Sequence, residues 1–391
     1  MKKLRILSND YRVTEVVSLE LISELPVPQA YESTEIAGSS PPEVFVGRFG
    51  YPKVYVGPLV PPLHGDTRHL AMPEEWFGKG LRDIIEMRVQ LIRGKREVRV
   101  DRVEDRYASE LREALLSENS VDTEAKFRGR VSGYLLSEDL QPFGPSVFIE
   151  ELRMEPGRSD HRLERAYYDR DASATETAVE LYRTGLQVSR IQQAFSAGLL
   201  GRRKKFVPTR WAITAVDDIL SKHLVDEVKE YEELGEYLVY KGEYLNNRWA
   251  IVMMPGKWSY ESIEAWFPGV ISGAIGIAGD HEPFWGRSEY ASMGGCYYAG
   301  RLAVAEKLRE MRRQASVLIL REAYPGYVPV GVWNVRETVR NVLSGRAESF
   351  SSLEESLKYV KRWLSLPMRV WLNNSKLLRD REHQVSLERF L

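Results

Sequence analysis

Cysteine is almost missing from this 391-residue chain, with Cys296 the only one. That scarcity excludes an internal disulfide framework and any multi-cysteine zinc site, and it points to a reducing interior. Long apolar runs are missing too: nothing reaches the roughly 18 residues a membrane helix needs. The opening Met1-Lys2-Lys3-Leu4-Arg5 leads into no apolar h-region, so no signal peptide is expected and the location reads as cytoplasmic. Nor is there a surplus of positive charge. Lys and Arg number 55 against 56 Asp and Glu, a formal charge of −1. Any contact with nucleic acid therefore has to come from a local patch. The chain carries no P-loop, Rossmann glycine signature, nucleophile elbow or internal repeat.

What is present is enough apolar material, 43% of residues, for a sizeable core. Val44–Val46 and Val54–Val56 flank Gly47–Pro52 as a hairpin would. Pro73 opens a stretch in which Phe77, Leu81, Ile84, Ile85, Leu91 and Ile92 recur at helical spacing up to Gly94. Strand-like runs follow at Glu97–Val100, Val121–Phe127 and Val147–Leu152, around a helix near Tyr107–Leu116. Residues 172–198 read as helix, turn at Gly185, helix. Further helices are expected at Ile213–Tyr231 and Tyr297–Ala315, with strands at Tyr237–Tyr240, Trp249–Met254, Ser316–Arg321 and Val328–Trp333. A last helix, Leu353–Leu364, takes its cap from Ser351 or Ser352. The class is a mixed α/β or α+β fold, one large continuous body with a mixed sheet and several helices. The divisions are a variable segment (1–35), an α/β core (36–375) and a short C-terminal tail (376–391).

That tail ends Gln384-Val385-Ser386-Leu387-Glu388-Arg389-Phe390-Leu391. Gln384, Leu387 and Phe390 fall three residues apart and eclipse in a 3₁₀ turn, with Leu391 beside them. Such a face matches the PIP motif that docks on the PCNA sliding clamp, the Gln in a polar pocket and the apolar groups in a greasy one. The bland alternative is a terminal helix folding Leu387 and Phe390 onto its own core. Burying those two side chains supplies about 3–6 kcal/mol before ordering costs, less than the roughly 8 kcal/mol of a micromolar complex. A weak tether suits a body that supplies a second contact on the same DNA.

The densest basic run is Gly201-Arg202-Arg203-Lys204-Lys205-Phe206-Val207-Pro208-Thr209-Arg210-Trp211. Its cations suit phosphates, and Trp211 or Phe206 suits an unpaired base. The helix before it offers Ser189, Arg190, Gln192 and Gln193 as potential groove readers. Acid–base or phosphate chemistry has scattered candidates: His64 and Asp66 on a Gly/Pro-rich loop, Asp217 and Asp218, Glu261 with Glu264, Arg321 with Glu322, and Arg336, Glu337 and Arg340 after Trp333. Glu261 and Glu264, at i and i+3, are expected to share a face between Trp258 and Trp266. For most of these the plainer reading is a structural ion pair.

Several runs carry a resemblance. Gly38-Ser39-Ser40-Pro41-Pro42, Phe45-Val46-Gly47-Arg48, Gly50-Tyr51-Pro52-Lys53-Val54, Val207-Pro208-Thr209-Arg210-Trp211-Ala212-Ile213-Thr214-Ala215-Val216-Asp217-Asp218, Ala299-Gly300-Arg301-Leu302-Ala303 and Val330-Gly331-Val332-Trp333-Asn334-Val335-Arg336-Glu337 resemble the archaeal Nre family of DNA repair proteins. The resemblance implies a role in DNA damage repair and clamp binding through Gln384, Leu387, Phe390 and Leu391. It marks Arg48, Tyr51, Lys53, His64, Asp66, Arg210, Trp211, Asp217, Arg321, Trp333, Arg336 and Glu337 as candidates for a shared pocket. Many family members begin with a four-cysteine cluster associated with zinc. This chain lacks it, so zinc does not carry over and no cofactor is expected. The leading expectation is a repair factor whose partners are PCNA, DNA that is damaged or single-stranded, and other repair proteins, with no membrane. Its rivals are an enzyme acting on a nucleotide or DNA end, in which Arg210 or Arg336 holds phosphate while Glu322, Glu337 or Asp217 moves a proton, and a non-catalytic scaffold.

Overall fold

Strand runs of period two and helical runs of period 3.6 alternate along the chain, and the computed structural model turns them into an α+β fold. It describes residues 6–7, 33–102, 105–129, 131, 136–137, 140–270 and 273–381. Contacts divide the chain into two compact units. The first is built mainly from Ser23–Leu220 with Pro329–Trp333, the second mainly from Ser221–Val328 and Asn334–Leu391.

The first unit carries strands β1 (Glu35–Ser40), β2 (Val44–Val46), β3 (Lys53–Val60), β4 (Ile92–Arg99), β5 (Val121–Arg128) and β6 (Ser146–Glu155). Their order is β1-β5-β6-β4-β3-β2, antiparallel throughout except for the β4–β6 ladder. The expected hairpin is the β2–β3 pair, with Val46 opposite Val56. In β5 the residues Val121, Thr123, Ala125 and Phe127 are buried while Asp122, Glu124 and Arg128 are exposed, the pattern of a sheet with one face on the core and one in water. The core face gathers Ile36, Val60, Ile92, Phe127, Val147 and Ile149. The first unit's helices are α1 (Leu81–Val89), α2 (Arg106–Leu116), α3 (His161–Tyr168), α4 (Ala174–Arg183), α5 (Val188–Ser196) and most of α6 (Thr209–Val228). Asp105 caps α2 by accepting the Tyr107 amide. The Tyr107 hydroxyl donates to the Val56 carbonyl at 3.0 Å and ties that helix to β3.

The helix expected from Pro73 to Ile92 is shorter. Pro73–Glu75 makes one 3₁₀ turn, Gly78 takes φ +88°, and α1 starts only after Gly80. Ile92 and Gly94 belong to β4, because ladder pairing to β3 and β6 outweighs a helical spacing of apolar residues.

The second unit carries β7 (Tyr237–Tyr244), β8 (Asn247–Met254), β9 (Ser259–Trp266), β10 (Gly276–Glu282), β11 (Ser316–Ala323) and β12 (Glu348–Phe350). Their order is β10-β9-β11-β8-β7-β12, with β9–β11 parallel and the other ladders antiparallel. Every residue of β11 is buried, so this sheet is covered on both faces. Helices α7 (Gly295–Met311), α8 (Trp333–Ser344), α9 (Leu353–Lys361) and α10 (Met368–Asn374) accompany it. Val360, Leu364, Trp371 and Leu378 pack on Val252, Ile263, Leu318 and Leu320. At Gly300 of α7 an added Cβ would stand 2.6 Å from the Tyr260 hydroxyl and 3.2 Å from Ile319; glycine allows the close approach of helix to sheet.

Two expectations fail here. Val328–Trp333 forms no strand: Pro329 lacks an amide donor, Gly331 turns the chain at φ +101°, and α8 begins at Trp333. Glu261 and Glu264 lie on a strand, so they point to opposite faces and not to a shared one. Among the described residues, no helix is long and apolar enough to cross a membrane.

Candidate nucleic-acid interface

The basic run forms the loop between α5 and the start of α6, and the fold sorts its side chains. Arg202, Arg203 and Lys205 are exposed. Lys204 turns inward, donating to the Leu199 carbonyl at 2.6 Å and the Ala166 carbonyl at 3.3 Å. Burial brings its ammonium down to about 8. Phe206 is fully buried beneath the Arg112 guanidinium, 5.2 Å from its ring centroid, so it presents no face to a base. Trp211, on the first turn of α6, remains 45% exposed and meets Tyr51, 46% exposed, with ring centroids 5.5 Å apart. Thr209 Oγ1 accepts the Val46 amide at 2.9 Å, which holds the β2–β3 turn beside this helix start. That turn carries Arg48, whose guanidinium lies 5.0 Å from the Phe49 ring, the exposed Tyr51, and the exposed Lys53. Arg210 is half-buried next to Trp211.

Groove reading by α5 is corrected by the burial of its polar side. Ser189 donates to Glu74, Gln192 to Asp217 at 2.8 Å and Gln193 to Glu43 at 3.3 Å. Arg190 donates to the carbonyls of Pro42, Leu115 and Ser117. These residues are internal struts.

The remaining polar candidates fall into separate clusters. His64 is exposed on its loop. Asp66 takes two bonds from Arg68, at 2.9 and 2.6 Å, and that guanidinium holds the carboxyl down at about 2. It stays an anion at neutral pH and is unsuited to donating a proton. Asp217 is buried against Gln192. Trp333 donates to the Val330 carbonyl and packs edge-on to Trp76, centroids 5.0 Å apart. In the second unit, Arg321 lies between the Trp249 and Tyr327 rings, pairs with Glu264 at 3.0 Å and donates to Asn247. Glu322 accepts the amides of Ser365 and Leu366 and the Tyr324 hydroxyl. Arg336 pairs with Glu337 at 3.0 Å, and Arg340 joins Glu337 to Glu306. A further buried network, Glu282 with Arg301 at 2.7 Å, Tyr297 and Trp258, escapes sequence reasoning. Its only signal is an arginine in the small-residue run Ala299–Ala303. Among the described residues no cluster of His, Cys, Asp or Glu is arranged to hold a metal ion.

Gln384, Leu387, Phe390 and Leu391 lie outside the described residues. The chain leading to them is fastened to the second sheet. Glu261 accepts the Lys376 and Leu377 amides at 2.8 and 3.1 Å, and Arg381 donates to the Pro255 carbonyl and to Ser316 Oγ.

The chain is an α+β body with exposed aromatic and cationic side chains at one helix start. Comparison with known proteins then places the chain. Residues 19–272 match the family described as Archaeal Nre, N-terminal, and residues 282–390 match Archaeal Nre, C-terminal; the chain belongs to the archaeal Nre family. It is 41% identical to the DNA repair protein NreB of Archaeoglobus fulgidus, over 93% of this chain and 94% of that one. It is 36% identical to the DNA repair protein NreA of the same organism, over 84% and 85% of the two chains. Identity to the DNA repair protein NreA of Haloferax volcanii is 30%, over 87% and 86%. No solved structure matches. The break between the two family segments falls inside the second sheet, which takes β7 to β9 from one segment and β11 and β12 from the other.

Proposed function

We propose that this protein is a DNA repair factor that grips DNA with its first unit and is delivered to it by the PCNA sliding clamp. Its relatives carry DNA repair in their names. The observation that carries the body contact is the exposed Tyr51–Trp211 pair, adjoined in the chain by Arg48, Lys53 and Arg210 and following the exposed Arg202, Arg203 and Lys205. Rings open to solvent stack on unpaired bases, and cations without burial neutralise phosphates. Clamp binding rests on the spacing of Gln384, Leu387 and Phe390 with Leu391. It is supported by the anchoring of Arg381, which brings the chain to the second unit's surface three residues before Gln384.

Two separable experiments test this. Deleting Gln384–Leu391 abolishes binding to purified PCNA and leaves the melting temperature unchanged; a large loss of stability would instead place Leu387 and Phe390 in the protein's own core. Charge reversal at Arg202, Arg203 and Lys205 lowers DNA affinity and flattens its dependence on salt. On a single strand the log–log slope falls by about 0.7 for each phosphate no longer neutralised. Unaltered affinity and slope would remove the basic loop from the interface.

A further inference from the structure

The solvent face of the first sheet carries a second cluster of rings and cations, away from the basic run. β4 sets Arg93, Lys95 and Glu97 on that face, successive members about 6.7 Å apart along the strand. The Arg93 guanidinium sits 4.0 Å from the Phe45 centroid and 4.4 Å from that of Phe143. Its hydrogen bonds run to Ser146 Oγ, at 3.0 and 2.8 Å. Lys95 Nζ lies 4.5 Å from the Phe148 centroid and 5.8 Å from that of Tyr55, and those two rings meet edge-to-face at 5.5 Å. Tyr55 is 37% and Phe148 43% exposed.

Among the described residues neither Arg93 nor Lys95 has a carboxylate partner. Elsewhere on this face Arg99 is tied to Asp101 and Arg128 to Glu150. Lys53, Arg93 and Lys95 share the β3–β4 side of this face with Glu97, while Glu35, Asp122 and Glu124 lie on the β1–β5 side. Burial draws Arg93 down to about 10, and burial and then the Arg93 charge pull Lys95 down as well. Two like charges side by side and partly stripped of water disfavour the folded state. An anion laid across them reverses that, and the flanking rings specify what kind.

We infer that this face is a stacking platform for single-stranded DNA, with backbone phosphates on Arg93 and Lys95 and bases on Phe148 and Tyr55. Duplex DNA buries its base faces in its own stack, so only an unpaired strand uses the rings. Lys53 and Tyr55 alternate with the buried Val54 and Val56 along β3 and so share this face. The inference rests on the proposed DNA contact and names the form of DNA that the contact takes.

The test measures fluorescence anisotropy of labelled oligothymidylate and of a mixed-sequence duplex with the full chain, at two salt concentrations. Phe148→Ala weakens oligothymidylate binding about 5- to 100-fold with little change for the duplex, and Phe148→Trp restores it. Lys95→Gln weakens it and reduces the salt slope by about 0.7. Because Phe148 is exposed and Lys95 only half-buried, melting temperatures of the variants stay close to that of the parent. If Phe148→Ala and Lys95→Gln bind as the parent does, while charge reversal at Arg202, Arg203 and Lys205 abolishes binding, the platform is wrong and the proposed DNA contact stands. Failure of the parent to bind any DNA sinks both. Loss of polyglutamate binding in these variants with oligothymidylate binding unchanged overturns the platform in favour of an acidic protein partner.

Discussion

The two sheets share a plan and differ in cover. Each has six strands, antiparallel ladders and one parallel ladder near the middle, β4–β6 in the first and β9–β11 in the second. In the first sheet, β5 and the first residues of β3 and β6 alternate buried and exposed, and outward positions include Lys53, Tyr55, Arg128, Phe148 and Glu150. In the second, β8, β9 and β11 are buried almost along their length, and charges placed there have to be answered inside the protein. Glu261, Glu264, Arg321 and Glu322 are each met by a partner on the sheet or on the segments that cover it. Titratable residues of similar type thus take different roles according to cover. Inside they organise the fold; on the open sheet they face solvent.

The contrast breaks most easily at a buried pair. Glu282→Ala leaves the Arg301 guanidinium charged and buried, and a loss of about 3–5 kcal/mol is expected in denaturant unfolding. A loss below about 1 kcal/mol would mean the pair contributes little to the second unit. Glu322→Gln weakens the acceptor for the Ser365 and Leu366 amides and should cost about 1–3 kcal/mol, seen as an earlier urea midpoint. The first unit offers a smaller effect with a defined sign. The Lys204 ammonium titrates near 8 when folded against 10.5 ordinarily. Between those values the unfolded chain binds more protons, so stability rises with pH across that window. Unfolding of the parent and of Lys204→Met, compared from about pH 8 to 10.5, shows the parent gaining on the variant. Smallest is the stability effect of Tyr55→Ala, expected within about 1 kcal/mol because its ring is already wet. A larger loss would make the outward rings of the first sheet part of its packing.

The sequence made the open sheet more legible than the closed one. Val121–Arg128 alternates strictly because one of its faces is solvated, and a period of two is visible without a structure. β10, Gly-Ile-Ala-Gly-Asp-His-Glu, has little strand propensity of its own and is held by pairing to β9, which no local pattern reports. The same limit explains Glu261 and Glu264, spaced for one helix face yet placed on opposite faces of a strand. In the candidate site, Phe206 and Trp211 looked equivalent beside the same cations. Only the packing beneath Arg112 separates the buried ring from the exposed one. The Arg93–Lys95 pair is sparse in sequence, two cations around Gly94, and becomes a cluster only when ladder register sets Ser146 and Phe148 opposite them. The helix α5 misled for a related reason: its polar residues serve buried acids and carbonyls of neighbouring segments, contacts set by the fold.

Hydrogen exchange of the full chain with and without oligothymidylate tests most directly that the open sheet is the DNA surface and the closed sheet is scaffold. Added protection is predicted at residues 53–57, 93–99 and 146–150 and at the start of α6, with residues 247–254 and 316–323 unchanged. Protection confined to the second unit, with the first sheet exchanging as before, would contradict it.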